Sequence, residues 1–262
     1  MIVATSVAPL ADFARHVGGR RVRVENIVQS GANPHTYQLT TDQMDLLSRA
    51  KLLIINGAGL EFWAKKAVQA ASNPELIVVE TADGIPLVDK GEDSHPGGNP
   101  HVWLNPKYAI KQVNTIRDAF IKADQKNKAY YTSNAAAYVA RLRDLDNYIR
   151  CQVRGFRTRE FVAFHPSWVY FANEYGLKQA AAIEESPGKE PPIVAIRRIV
   201  DKAKRANARV VFAEPQFSTK IAQAVADEVG AKVLVLDPLG KPGDSYIALM
   251  KRNVREMAKA LR

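Results

Sequence analysis

Cysteine is almost absent from this 262-residue chain, where Cys151 stands alone. A single thiol excludes an intrachain disulfide and every cysteine-based zinc cluster, so a metal held here must take nitrogen and oxygen donors. Cys151 itself falls in a helical pattern and reads as a packed or half-exposed thiol. Long hydrophobic runs are missing too. No apolar stretch approaches the roughly 18 residues of a membrane span. The chain opens directly on Ile2-Val3-Ala4-Thr5 with no basic n-region ahead of a hydrophobic stretch, which leaves its compartment undecided because a processed chain begins the same way. Aromatic–basic interleaving and recognisable nucleic-acid motifs are lacking as well. The net charge of +10 is therefore expected to form a solvated basic face, densest in 141–159 and 197–209, and not a nucleic-acid surface.

What is present is the pattern of an α/β protein. At 47% hydrophobic and 24% charged residues, the chain can bury one large core or two of ordinary size. Short apolar runs predict strands at 2–6, 22–28, 52–56 and 76–79, then at 161–164, 179–183, 209–213 and 232–236. Amphipathic segments lie between them. Thr40 with Gln43 three residues on reads as a capping box for a helix to about Ala50. Asn105-Pro106 supplies an N-cap and first-turn proline for a helix with the stripe Ala109, Val113, Ile116 and Phe120. Another helix follows Pro166 and stops at Gly176. Asp244 is expected to cap a C-terminal helix carrying Met250, Val254, Met257 and Leu261.

The stretch 124–153 has neither Gly nor Pro, and Tyr131, Ala135, Tyr138, Leu142, Leu145 and Ile149 step along it by fours and threes. It predicts one rigid helix dividing two four-strand halves: a first lobe 1–123, a linking helix 124–153 and a second lobe 154–262. Each lobe is expected to hold a mostly parallel sheet flanked by helices. The loop 88–100 is the loosest segment.

Histidine and proline keep company. Asn33-Pro34-His35 and Asn99-Pro100-His101 repeat one tripeptide, and His165-Pro166, like His95-Pro96, places a further histidine beside the rigid ring. Glu214-Pro215 and Asp237-Pro238 share the habit. Imidazoles on stiffened backbone lose less entropy when a metal binds, and three of them with one carboxylate make a full first shell for zinc. Each of these residues follows the carboxyl end of a predicted strand, where open α/β sheets place their ligands. No HExxH motif is present, so the site must assemble through the fold.

Read together and in order, Asn33-Pro34-His35, the NPHVW of 99–103, Phe164-His165-Pro166, AEPQF at 213–217, LDPLG at 236–240 and Gly243-Asp244-Ser245-Tyr246 closely resemble the zinc/manganese-binding receptor proteins of bacterial and archaeal metal-uptake ABC transporters. The resemblance spans almost the whole chain. It implies two α/β lobes joined by one long helix, with the metal between them, bound by His35, His101, His165 and Asp237. Manganese-type members carry glutamate at the third position, so His165 is of the zinc type, as the preference of imidazole for zinc also suggests. It further implies an extracytoplasmic, non-catalytic, monomeric protein. Such a protein delivers zinc, or manganese, to an ABC permease and meets the membrane only through that permease or a lipid anchor.

Glu214 is read as a carboxylate orienting an imidazole. An enzyme reading stands beside this one: a three-histidine zinc hydrolase with water in the fourth position and Glu214 as general base. A surface adhesin is a third. His95 beside Pro96-Gly97-Gly98 is read as a solvated loop residue, with transient metal capture as its functional rival. His16 is expected on a helix surface. Trp63, Trp103 and Trp168 are read as packing, the latter two screening the site from water, and Asn56-Gly57 as turn chemistry facing the same crevice.

Overall fold

A computed structural model describes residues 1–88, 97–184, 191–241 and 243–262. The first sheet contains β1 (Ile2–Thr5), β2 (Arg23–Asn26), β3 (Leu52–Ile55) and β4 (Ile77–Glu80) in the order β2-β1-β3-β4. The second contains β5 (Glu160–Ala163), β6 (Lys178–Ala182), β7 (Val210–Ala213) and β8 (Lys232–Val235) in the order β6-β5-β7-β8. Every pairing is parallel, and the two orders are the same plan used twice. Central strands β3 and β7 are buried throughout, while β2 and β8 at the edges expose residues. That gradient is what a sheet covered on both faces requires.

Helices α1 (Ala8–Gly18), α2 (Thr41–Arg49), α3 (Ala64–Ala71) and α4 (Pro106–Ala123) belong to the first lobe. Their predicted caps form: Thr40 and Gln43 make the reciprocal box, and Asn105 accepts the Lys107 N–H at 2.9 Å. The linker is α5 (Lys128–Arg154), about 40 Å long at 1.5 Å per residue, and all six stripe residues from Tyr131 to Ile149 are buried. It starts later than the expected 124. Asp124 has φ −147°, and its carboxylate accepts from Asn127 at 2.6 Å and Tyr131 at 2.8 Å, closing a 3₁₀ turn first. A short polar side chain competing with the backbone is the cause.

Helices α6 (Val169–Tyr175), α7 (Ile193–Arg205), α8 (Thr219–Val229) and α9 (Tyr246–Leu261) complete the second lobe. The cap of α9 is Ser245, which accepts the Ala248 N–H at 3.2 Å, and not Asp244. Arg252 draws the Asp244 carboxylate to 2.6 Å, where it also takes the Lys241 N–H. The predicted stripe Met250, Val254, Met257 and Leu261 is buried, and it joins α1, α4 and α5 in one apolar core reaching β5. Each such side chain contributes about 1.5–3 kcal/mol by leaving water.

Polar contacts reinforce that junction. Asp12 on α1 accepts from the Tyr138 hydroxyl at 2.6 Å and from the Tyr246 N–H at 3.1 Å. The Tyr246 hydroxyl donates to the Trp103 carbonyl at 2.6 Å, and the Trp103 indole donates to the Pro238 carbonyl at 2.9 Å. Burial, with the Asp12 charge nearby, holds both phenols well above their ordinary pKa, so they remain donors.

His16 departs from the surface expectation: it is half-buried, because the Tyr138 ring stacks on it at 4.0 Å. Cys151 is exposed on α5. The basic residues of 197–209 point to solvent apart from the chain's buried apolar stripe, as a solvated face should. No helix among the described residues is long and apolar enough to cross a membrane.

Candidate metal centre

The repeated tripeptide builds the same device twice. In the first copy Pro34 opens a 3₁₀ turn, and the Asn33 side chain accepts the His35 N–H at 2.9 Å. In the second, Asn99 accepts the His101 N–H at 3.1 Å and also stands 2.9 Å from the His101 ring Nδ1. An amide oxygen can only accept, so Nδ1 carries the proton and Nε2 keeps its lone pair. His165 closes β5, and its Nδ1 lies 2.9 Å from the Glu214 carboxylate. That carboxylate, at the end of β7, also takes the Ser167 hydroxyl at 2.8 Å. Nδ1 of His165 completes no hydrogen bond among the described residues, but a carboxylate at this distance favours a proton on Nδ1 and a lone pair on Nε2.

The three rings converge. The Nε2 atoms of His35 and His165 each lie 3.0 Å from Nε2 of His101. One nitrogen from each histidine lies within 4.8 Å of the other two. Tetrahedral zinc with bonds of about 2.0–2.1 Å needs nitrogens about 3.3 Å apart, so a small inward or outward shift suffices. His101 and His165 are each only 2% exposed, and His35 is half-buried. Around them Asn33, Pro34, Trp103, Glu214, Gln216, Phe217, Pro238 and Leu239 wall a cleft whose free volume is about 10 Å³. That is room for a water-sized species and nothing organic.

The electrostatics favour a cation. The Nε2 atoms of His101 and His165 lie 3.0 Å apart, close to the spacing of two nitrogens on one zinc ion. Two further acceptors on the wall, Glu214 Oε2 and Gln216 Oε1, are buried and take no hydrogen bond among the described residues. Buried acceptors left so are costly unless a cation or water serves them.

Of the residues expected at the site, His35, His101 and His165 are brought together, with Glu214 behind His165. Asp237 is not in that group. Its Oδ1 accepts the N–H groups of Leu239 and Gly240 at 3.0 and 2.8 Å, and Asn253 clamps its backbone on both sides. Oδ2 has no hydrogen bond from the described residues. His95 lies outside the described residues. Trp103 and Trp168 are fully buried as expected. The second role of Asn99 was not foreseen, although the repeated tripeptide held its signal. Asn99 also donates to the Pro166 carbonyl at 2.5 Å and takes the Tyr170 hydroxyl on its own carbonyl at 2.6 Å, tying the His101 turn to the His165 turn.

Comparison with known proteins agrees with this layout. Residues 3–260 match the family described as zinc-uptake complex component A, periplasmic. The high-affinity zinc uptake system protein ZnuA of Bacillus subtilis (strain 168) is 30% identical, over 99% of this chain and 87% of that protein. The manganese-binding lipoprotein MntA of Halalkalibacterium halodurans is 29% identical, over 99% of this chain and 88% of its own length. A crystal structure of ZnuA superposes with a TM-score of 0.91 at 34% identity, covering 100% of this chain and 99% of that one.

Proposed function

The chain belongs to the family of periplasmic zinc-uptake complex component A, and we propose that it is the extracytoplasmic receptor of an ABC uptake system, capturing zinc and passing it to a membrane permease. The observation that carries this reading is the convergence of three imidazole nitrogens, the central one with Nδ1 committed to Asn99, on a space the size of one ion. Zinc is the ion such a nitrogen set suits; manganese favours more oxygen. His35, His101 and His165 are the ligands, and Glu214 orients His165 as its partner outside the coordination sphere. Asp237 lies outside the three-histidine group; to serve as the fourth donor its Oδ2 must move toward the rings while Oδ1 remains on its turn. The receptor acts as a monomer of two lobes, 1–123 and 154–262, on the strut 124–153. The relatives are transport components, which leaves the hydrolase reading without support.

Imidazoles must be neutral to bind, so affinity depends on pH. Calorimetry is expected to show one zinc per chain, with binding weakening as acid supplies protons that compete with the metal for the imidazoles. A zinc affinity unchanged between about pH 7.5 and 5 sinks the histidine site. Asp237→Ala tests the fourth donor: affinity drops if Oδ2 ligates and barely moves if water completes the shell. Competition between zinc and manganese ranks the two ions.

A further inference from the structure

The end of β3 carries a polar cluster that the ligand set does not include. Asn56 is fully buried, and all its polar atoms are used. Its side-chain Nδ2 donates to the Pro100 carbonyl at 2.8 Å and to the Gly57 carbonyl at 3.1 Å. Its Oδ1 accepts from Gln112 Nε2 at 3.0 Å, and that nitrogen also donates to Thr81 at 2.9 Å. Carbonyls only accept, so this environment fixes which end of the amide faces Pro100. The Asn56 carbonyl takes the Ala82 N–H at 2.8 Å. Glu61, itself buried, accepts the N–H groups of Asn56 and Gly57, both at 2.9 Å. The turn cannot easily be rebuilt: Gly57 has φ +83°, and a Cβ there would stand 2.9 Å from the Glu80 carboxylate.

Pro100 directly precedes His101, the ring within 3.0 Å of both other histidines. We propose that Asn56 is a positioning residue for metal capture: through the Pro100 carbonyl it holds the His101 turn at the end of β3, with Glu61 fixing its backbone and Gln112 its side-chain oxygen. This rests on the three-histidine site proposed above. Pro100 has no N–H to offer, so its turn is fastened by its carbonyl and by its neighbours. A rigid sheet thereby sets the height of the central ligand, and sub-ångström placement of a ligand governs both affinity and coordination geometry.

The test compares wild type with Asn56→Leu and Asn56→Asp, using zinc competition against a chromophoric chelator and the visible absorption of the cobalt(II) form. Leu keeps the volume and removes the donor; Asp keeps the shape and turns an oxygen toward a carbonyl. We expect zinc affinity to fall about tenfold, the lower end for residues that orient ligands, and the cobalt band to shift or lose intensity. Leu145→Ala, which hollows the core at α5, is the control: it lowers the melting temperature of the metal-free protein and leaves the cobalt band alone. If Asn56→Leu does not fold, Gln112→Leu, which removes the donor that holds Asn56 Oδ1, must move the band in the same direction. Folded variants with wild-type affinity and an unchanged band overturn the positioning role. Wild type that takes up neither ion, or that binds as before after His101→Ala, overturns the site itself.

Discussion

The two lobes repeat one sheet order, yet they hold their histidines by different chemistry. In the first, neutral amides do the holding: Asn33 on the His35 backbone, Asn99 on the backbone and ring of His101. In the second, His165 leans on the Glu214 carboxylate, buried at 2% exposure and shared with Ser167. An amide fixes direction without adding net charge. A buried carboxylate fixes direction and also offsets part of the charge of a divalent ion where water is scarce. The first lobe thus sets geometry, and the second supplies compensation.

The largest effect that tests this division comes from the ligands themselves. His101 belongs to the first lobe and touches both other rings, whereas His35 is half-exposed at the rim. His101→Ala is expected to weaken zinc binding roughly a hundred- to a thousandfold, about a quarter of the 10–16 kcal/mol typical of four-ligand zinc. His35→Ala should cost less, because water can reach the gap it leaves. Chelator competition reads both. A greater loss at His35 would deny His101 its central place.

Next comes a crossed pair. Glu214→Gln keeps the volume and removes the charge, so zinc affinity should fall about 10–100-fold, while the metal-free protein melts no lower, since a buried carboxylate has been relieved. Asn99→Ala should do the reverse. Its affinity loss is the smaller, about tenfold, but it strips the Pro166 carbonyl of its donor, at about 1–3 kcal/mol of stability. Affinity and melting curves that move together in both variants would erase the distinction between lobes.

How much of this could be read beforehand depends on distance along the chain. All eight strands and the buried stripe of α5 follow from local periodicity, which a window of ten to fifteen residues contains. The three histidines were legible because proline marked them and the tripeptide repeated. Asp237 carried the same mark, and its Oδ1 also serves the turn to Gly240, the ordinary use of Asp before Pro, so the mark alone does not separate the two uses. Asp244 was read as a cap because nothing nearby announces Arg252, eight residues on, as its partner. The indole of Trp103 reaching Pro238 across 135 positions, or Asn56 reaching Pro100 across 44, leaves no local trace. Such bonds exist only once both ends have been placed by the core.

The smallest effect compares how the linker and the second lobe each hold a surface carboxylate. Asp124, just ahead of α5, lies below its ordinary pKa because Asn127 and then Tyr131 donate to it. Asp244 lies below its own chiefly because Arg252 donates to it, with the Lys241 N–H helping. Both folded values sit under the unfolded ones. The stability each adds is therefore whole above the ordinary carboxylate value of about 3.9, and it drains away as pH falls through the folded value. Salt separates them. An ion pair is screened when the Debye length shrinks to about 3 Å near 1 M salt, whereas neutral donors are not. Melting the metal-free protein from about pH 5 to 3, Arg252→Met should flatten the acid-side loss at low salt and flatten it less at high salt. Asn127→Ala should flatten it in both. If high salt blunts Asn127→Ala as well, Asp124 is held by charge after all, and the neutral-donor account fails at this position.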